Sequence, residues 1–113
     1  MLDPQAKALL DLMVERGVPP THTLAPEQAR RFYVERRAVT QPPPRPVGEV
    51  RDLTAVGPRG DIPLRLYRPD GLANPAPVLV YYHGGGWVIG DLDTHDSLCR
   101  DLADAGRCVV VAV

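Results

Sequence analysis

The sequence predicts an α/β fold in which two short helices precede an antiparallel hairpin, followed by parallel strands joined by a crossover helix. Three patterns lead there. Apolar residues recur at three- and four-residue steps before position 40. They alternate with polar ones from 47 to 68. They then run unbroken at Val78–Tyr82 and again at Cys108–Val113, with an amphipathic stretch between. Alternation marks a strand with one wet face, and a short unbroken run marks a strand covered on both faces. Two such runs separated by a helix require a parallel crossover, right-handed by strong preference. The chain thus divides into a helical segment at 1–40, a proline-rich connector at 41–46 and a core region at 47–113.

Asp3 is placed to cap the first helix, with Pro4 at its first position, where a missing N–H loses no helical bond. Leu2, Ala6, Leu9, Leu10 and Met13 form its apolar stripe, and Gly17 ends it before Pro19-Pro20. A second helix starts near Thr23 to Pro26, with Ala25, Ala29, Phe32 and Tyr33 facing inward. Arg30, Arg31, Arg36 and Arg37 cluster on it among Glu27 and Glu35, which reads as a solvated helix face rather than a nucleic-acid patch. Gln41-Pro42-Pro43-Pro44-Arg45-Pro46 is a stiff extended spacer; a polyproline ligand for a partner domain is the rarer use of such a run.

Val47–Val56 forms the first strand, and Gly57-Pro58-Arg59-Gly60 turns the chain. Ile62, Leu64 and Leu66 alternate with Pro63, Arg65 and Tyr67, giving one apolar face, and Pro63 puts the hairpin at the side of a sheet. Pro69-Asp70-Gly71 closes it. The crossover helix is expected from Asp93 or Thr94 to Ala105, with Asp93 and Asp96 at its positive end and an Asp96–Arg100 pair one turn apart. Its buried stripe is expected to be Leu98, Cys99, Leu102 and Ala105, with Gly106 as terminator.

Size and composition exclude several classes. The 113 residues suffice for one core, hydrophobic residues make up 44% and charged ones 24%, and the net charge is −1. Nothing in that balance draws the chain to nucleic acid or an anionic membrane. Asp3 and Lys7 interrupt any signal-type apolar run, and no stretch approaches a bilayer-crossing length, so a cytoplasmic protein is expected. Cys99 and Cys108, nine positions apart, and three scattered histidines fit no common metal spacing, and both cysteines are expected to be reduced.

The chemistry is concentrated in His83-Gly84-Gly85-Gly86-Trp87, directly after the Val78–Tyr82 strand. Glycine loses the most backbone freedom on folding, so three in a row are retained where main-chain amides must approach something closely. Amides without a neighbouring Cβ can turn into a cavity and donate to a negatively charged oxygen. A tight strand-to-helix turn without chemistry is the plainer alternative. A phosphate-binding loop is disfavoured, because neither glycine-rich nucleotide motif is present and no Lys follows the glycines.

With those residues in place, the chain resembles the hormone-sensitive-lipase-like (bacterial family IV) esterases of the α/β-hydrolase fold. The sharpest likeness is the segment His83-Gly84-Gly85-Gly86-Trp87-Val88-Ile89-Gly90-Asp91-Leu92-Asp93-Thr94-His95-Asp96, which is similar to that family's HGGG loop and the helix start after it. The resemblance implies the N-terminal part of the fold, with the two leading helices belonging to the cap over the active site. It implies that the amides of Gly85 and Gly86 are oxyanion-hole donors and that His83 positions the loop. It further implies a small ester substrate with short acyl or aryl groups, no metal and no organic cofactor.

The resemblance stops short of a catalytic triad. The family's serine lies on a G-x-S-x-G elbow, and Ser97, the one serine here, has no flanking glycine and sits in a predicted helix. His95, Asp96 and Ser97 are consecutive, so their side chains do not face one another on a helix. The expectation is an N-terminal portion of a carboxylesterase that is inactive alone, its nucleophile, acid and base carried by a missing C-terminal half. The alternative is a non-catalytic scaffold that binds a partner, or forms a homo-oligomer, through an open strand edge.

Overall fold

A computed structural model describes residues 2–113, with 38–40 described by their backbone alone. Helix α1 spans Pro4–Glu15, and Asp3 caps it by accepting from the N–H groups of Gln5 (2.8 Å) and Ala6 (3.4 Å). Gly17 lies at φ +61° and ends the helix in the left-handed region. Helix α2 spans Pro26–Thr40. Gln28 reaches back to accept from the Ala25 N–H at 3.3 Å, so Ala25 is the exposed cap rather than an inward residue.

The strands are β1 (Glu49–Gly57), β2 (Gly60–Arg68), β3 (Val78–Tyr81) and β4 (Val109–Ala112), with helix α3 at Asp96–Gly106 between the last two. They form one sheet in the order β1-β2-β4-β3. The hairpin and the β2–β4 pair are antiparallel, while β3 and β4 are parallel, as a strand–helix–strand crossover requires. Pro63 fits because β4 pairs with β2 only at Arg65–Tyr67, which leaves Pro63 where β2 has a single neighbour. Apolar β4 is central and buried; β3 forms the far edge.

Four expectations about burial are corrected. First, the buried face of β2 is the one carrying Arg65 and Tyr67, whereas Leu64 and Leu66 are half-buried and Ile62 is exposed. Helix α3 covers that face, and its Asp96 supplies the partner that lets Tyr67 be fully enclosed: the Tyr67 hydroxyl donates to Asp96 at 3.0 Å. Second, α3 begins at Asp96 and buries Asp96, Ser97, Cys99 and Ala103, while Leu98 and Ala105 stay exposed and Leu102 half-buried. The helix is turned so that its polar partners meet the sheet. It ends one residue late, with Arg107 rather than a glycine in the left-handed region (φ +47°).

Third, β3 is not covered: Val78, Leu79 and Val80 are 62%, 40% and 50% exposed. Its apolar run matches a doubly covered strand, but it pairs with β4 alone. Fourth, α1 buries none of its residues, and α2 buries Ala29. The two helices instead flank a partly open, mainly apolar cavity of about 280 Å³, lined among others by Leu9, Leu12 and Met13 of α1 and Tyr33 of α2.

The core consists of Tyr67, Cys99, Ala103, Val110 and Ala112. The connector is tied along α3: Gln41 Nε2 donates to the Thr94 carbonyl (2.6 Å), Arg100 to the Arg45 carbonyl (3.1 Å), and Arg45 pairs with Asp101 at 2.8 Å. Cys99 and Cys108 are free thiols. Burial, with the Asp96 charge nearby, pushes the Cys99 thiol from 9.0 up to about 11, and the same two causes raise the Tyr67 phenol. A raised folded-state pKa gives stability that is complete below the unfolded value and is lost as pH rises. Thermal midpoints measured from pH 7 upward should therefore hold to about pH 9, fall as Cys99 titrates and fall more steeply above about pH 10, where Tyr67 adds its share; Cys99→Ala should remove the first part of that slope.

Candidate functional site

The loop after β3 is shaped by glycine. Gly85, Gly86 and Gly90 lie at φ +131°, +60° and +98°, and Trp87, a non-glycine residue, is also left-handed at +58°. The Gly85 carbonyl accepts from both Val88 N and Ile89 N at 3.1 Å, folding the loop onto itself. A Cβ on Gly85 would overlap the Ile89 carbonyl oxygen, so that position admits nothing larger. At Gly84 and Gly86 a Cβ would meet open space. The N–H groups of Gly85 and Gly86 have no acceptor among the described residues. Both glycines line a concavity of about 510 Å³, together with the rest of residues 82–87 and Val113. Trp87 is fully exposed at its rim.

Three elements hold this loop. From α2, Arg30 Nε donates to the Val88 carbonyl at 2.7 Å, so one member of the basic cluster is an anchor. Within the loop, His83 Nδ1 lies 2.6 Å from the Gly84 carbonyl. From the start of α3, the His95 ring stacks on that of His83, with centroids 4.9 Å apart and planes at 19°. The approach to α3 is a closed turn in which Asp91 N donates to Thr94 Oγ1 (2.8 Å) and Thr94 N to Asp91 Oδ1 (2.7 Å).

Beneath this turn lies a network of charges. Asp96, 5% exposed, accepts from Tyr67 and from Arg100 Nε (2.8 Å), and Arg65 Nη1 stands 3.6 Å away. Arg65 also pairs with Asp52 (2.6 Å) and Asp93 (2.8 Å). The Asp52 bond and charge raise the Arg65 guanidinium pKa further, and in return Arg65 holds the Asp52 carboxyl below its usual range. The expected Asp96–Arg100 pair is present, but its burial and its partners on β2 were not legible from the spacing.

The five loop residues singled out in the sequence, His83 to Trp87, come together at one concavity. Ser97 does not join them: it is buried in α3, and its hydroxyl donates to the Pro42 carbonyl at 3.3 Å. From the sequence, Arg30 reads as part of a solvated helix face, and Gly90, the Asp91–Thr94 turn and His95 fall within the family-like segment without a role of their own, His95 also as a false triad member. The glycine at 90 was the available signal, since it stands where nothing else in the loop calls for one.

A family model described as alpha/beta hydrolase fold matches residues 79–113. Among curated relatives, a carboxylic ester hydrolase, LipN, of Mycobacterium tuberculosis is 50% identical over 72 residues, covering 64% of this chain and 19% of that protein. An ethyl acetate hydrolase of Pseudomonas putida is 39% identical over 120 residues, covering 99% of this chain and 37% of that protein. Among solved structures, an ester hydrolase from the metagenome of Lake Arreo superposes with a TM-score of 0.89 at 42% identity, over 99% of this chain and 37% of its own. The chain thus spans well under half the length of the proteins it matches. By fold and by these likenesses, the chain has the α/β-hydrolase fold and is similar, over about a third of their length, to esterases of that fold, in keeping with the resemblance to the hormone-sensitive-lipase-like (family IV) branch.

Proposed function

We propose that this chain supplies the oxyanion loop of a serine carboxylic ester hydrolase for short-chain acyl or aryl esters. Its nucleophile, acid and base lie outside these 113 residues. The observation behind this reading is the pair of amides at Gly85 and Gly86, which have no acceptor among the described residues and belong to glycines that line an open concavity. The esterase names of the relatives support the reaction class. In the complete enzyme a serine attacks the ester carbonyl, and the carbonyl oxygen gains negative charge as the tetrahedral intermediate forms. The two amides donate to it; the intermediate collapses by breaking the ester C–O bond, the alcohol leaves with a proton, and water then hydrolyses the acyl-enzyme to release the carboxylic acid. Donors already fixed by the loop need no reorganisation when that charge appears. The reaction needs no metal or organic cofactor on this reading, and the chain acts in the cytoplasm.

The test is a graft. Residues 1–113 replace the matching segment of the Pseudomonas putida ethyl acetate hydrolase, and hydrolysis of p-nitrophenyl acetate and butyrate is followed. The graft should turn over both esters, and the 113-residue chain alone should turn over neither. A graft that melts cooperatively yet is inert would sink the reading.

One observation favours a second reading, a non-catalytic module: the exposed apolar run and unpaired edge of β3 could receive a strand from a partner or a second copy. Size-exclusion chromatography decides it. A discrete oligomer with a cooperative melt supports the module, and aggregation or monomeric behaviour counts against it.

A further inference from the structure

We propose that His95 is a positioning residue for the glycine loop. Its ring carries the ring of His83, which pins the Gly84 carbonyl, so the start of α3 sets the direction of the Gly85 and Gly86 amides. The inference rests on the oxyanion reading above for its catalytic consequence, but the coupling of the two rings is a property of the fold.

The hydrogen-bond partners favour one tautomer for each ring. A carbonyl oxygen only accepts, so His83 Nδ1, 2.6 Å from Gly84 O, carries the proton. His95 Nδ1 lies 3.1 Å from Thr94 Oγ1 and 3.3 Å from the Asp91 carbonyl. Thr94 Oγ1 already donates to that carbonyl (3.0 Å) and accepts from Asp91 N, so it has a lone pair left and no proton. With the Thr94 proton directed at that carbonyl, His95 Nδ1 is the donor to Thr94 Oγ1. Both rings hold the Nδ1–H form, the minor tautomer of a free imidazole, and each is locked by its own stretch of backbone.

The space around the rings is equally determined. A Cβ on Gly90 would stand 2.6 Å from His83 Nδ1 and 3.0 Å from the Gly84 carbonyl, so glycine at 90 is what lets the ring lie flat over that bond. On the other side, the Tyr81 ring at the end of β3 lies 6.0 Å from His95. End of strand, glycine loop and helix start thus meet at one imidazole. That imidazole sits beside Asp96, whose buried bonds to β2 hold the first turn of α3.

Two measurements test this. In the 113-residue chain, long-range ¹H–¹⁵N spectra should show His83 and His95 as Nδ1–H tautomers, and His95→Ala should move His83 toward the free-imidazole mixture. A His83 signal unchanged by His95→Ala, or an Nε2–H tautomer in the unsubstituted chain, overturns the proposal. In the graft, His95→Ala should lower kcat about ten- to a hundredfold with KM nearly constant, because donors are misplaced rather than binding lost. His95→Phe, which keeps a ring to stack on, should recover most of the loss. On a His83→Ala background, His95→Ala should add nothing; multiplying losses would overturn the coupling. Gly85→Ala separates the two ideas. If it leaves kcat intact while the ring coupling holds, the oxyanion reading fails. If it abolishes kcat while the rings prove independent, only the present inference fails.

Discussion

Gly85→Ala in the grafted hydrolase should lower kcat by about a hundred- to a thousandfold with little change in KM, the loss expected when an oxyanion donor is displaced. The new methyl group has nowhere to go. It would overlap the carbonyl oxygen of Ile89, and φ at this position, +131°, lies in a region that L side chains rarely adopt. The loop cannot yield locally, because the Gly85 carbonyl is the acceptor for both Val88 N and Ile89 N. Relief must come from moving the Gly85–Gly86 peptide, and that peptide carries one of the two amides in question. Gly86→Ala is the informative contrast. Its Cβ meets open space, and its φ of +60° costs an alanine about 1–2 kcal/mol. It should lower the melting temperature but leave kcat within about tenfold, a small loss beside the effect of displacing a donor outright. Steady-state kinetics on the two variants, with circular dichroism to confirm folding, gives the comparison. Equal and small losses would mean that these amides do not face the developing charge.

Those opposite expectations for adjacent glycines could not be drawn from the sequence, and the reason is general to this chain. What was legible was local or periodic: the Asp3 cap, the two-residue turn between Gly57 and Gly60, the parallel pair around a helix, and the glycine loop itself. Burial was not, because it depends on which neighbour arrives. Alternation in β2 put Leu64 and Leu66 on the apolar face, yet α3 lies over Arg65 and Tyr67, since Asp96 satisfies the hydroxyl and the guanidinium there. The same choice rotated α3 and left Leu98 exposed. In β3 the residue types anticipate cover on both faces that the 113 residues do not provide. For the site, glycine and histidine types pointed to the loop, but the stack of His83 on His95 joins residues twelve apart through two turns that no periodicity describes.

Asp96→Ala should destabilise the chain by about 3–5 kcal/mol in urea or thermal unfolding, the range for removing one partner of a buried ion pair. The losses fall unequally. Arg65 keeps Asp52 and Asp93 and remains paired. Arg100 loses its carboxylate and keeps the Arg45 carbonyl and the Tyr67 ring, 5.9 Å from its guanidinium carbon, and the fully enclosed Tyr67 hydroxyl is left without its acceptor. An unsatisfied buried hydroxyl costs about 1–3 kcal/mol, so Tyr67→Phe should recover part of the damage when combined with Asp96→Ala, although alone it is destabilising. Alkaline behaviour supplies an independent check. The Asp96 charge contributes to the raised pKa of both Tyr67 and Cys99, so its removal should shift the Cys99 titration down from about 11 toward 9.0. A stability change under 0.5 kcal/mol, the range of ordinary surface substitutions, would mean that water replaces the carboxylate and that the network does not fix α3 on the sheet. Because His95 is the cap residue immediately before Asp96, loosening this turn should also lower kcat in the graft. A carboxylate that touches no substrate would then act on the reaction through the helix start it holds in place.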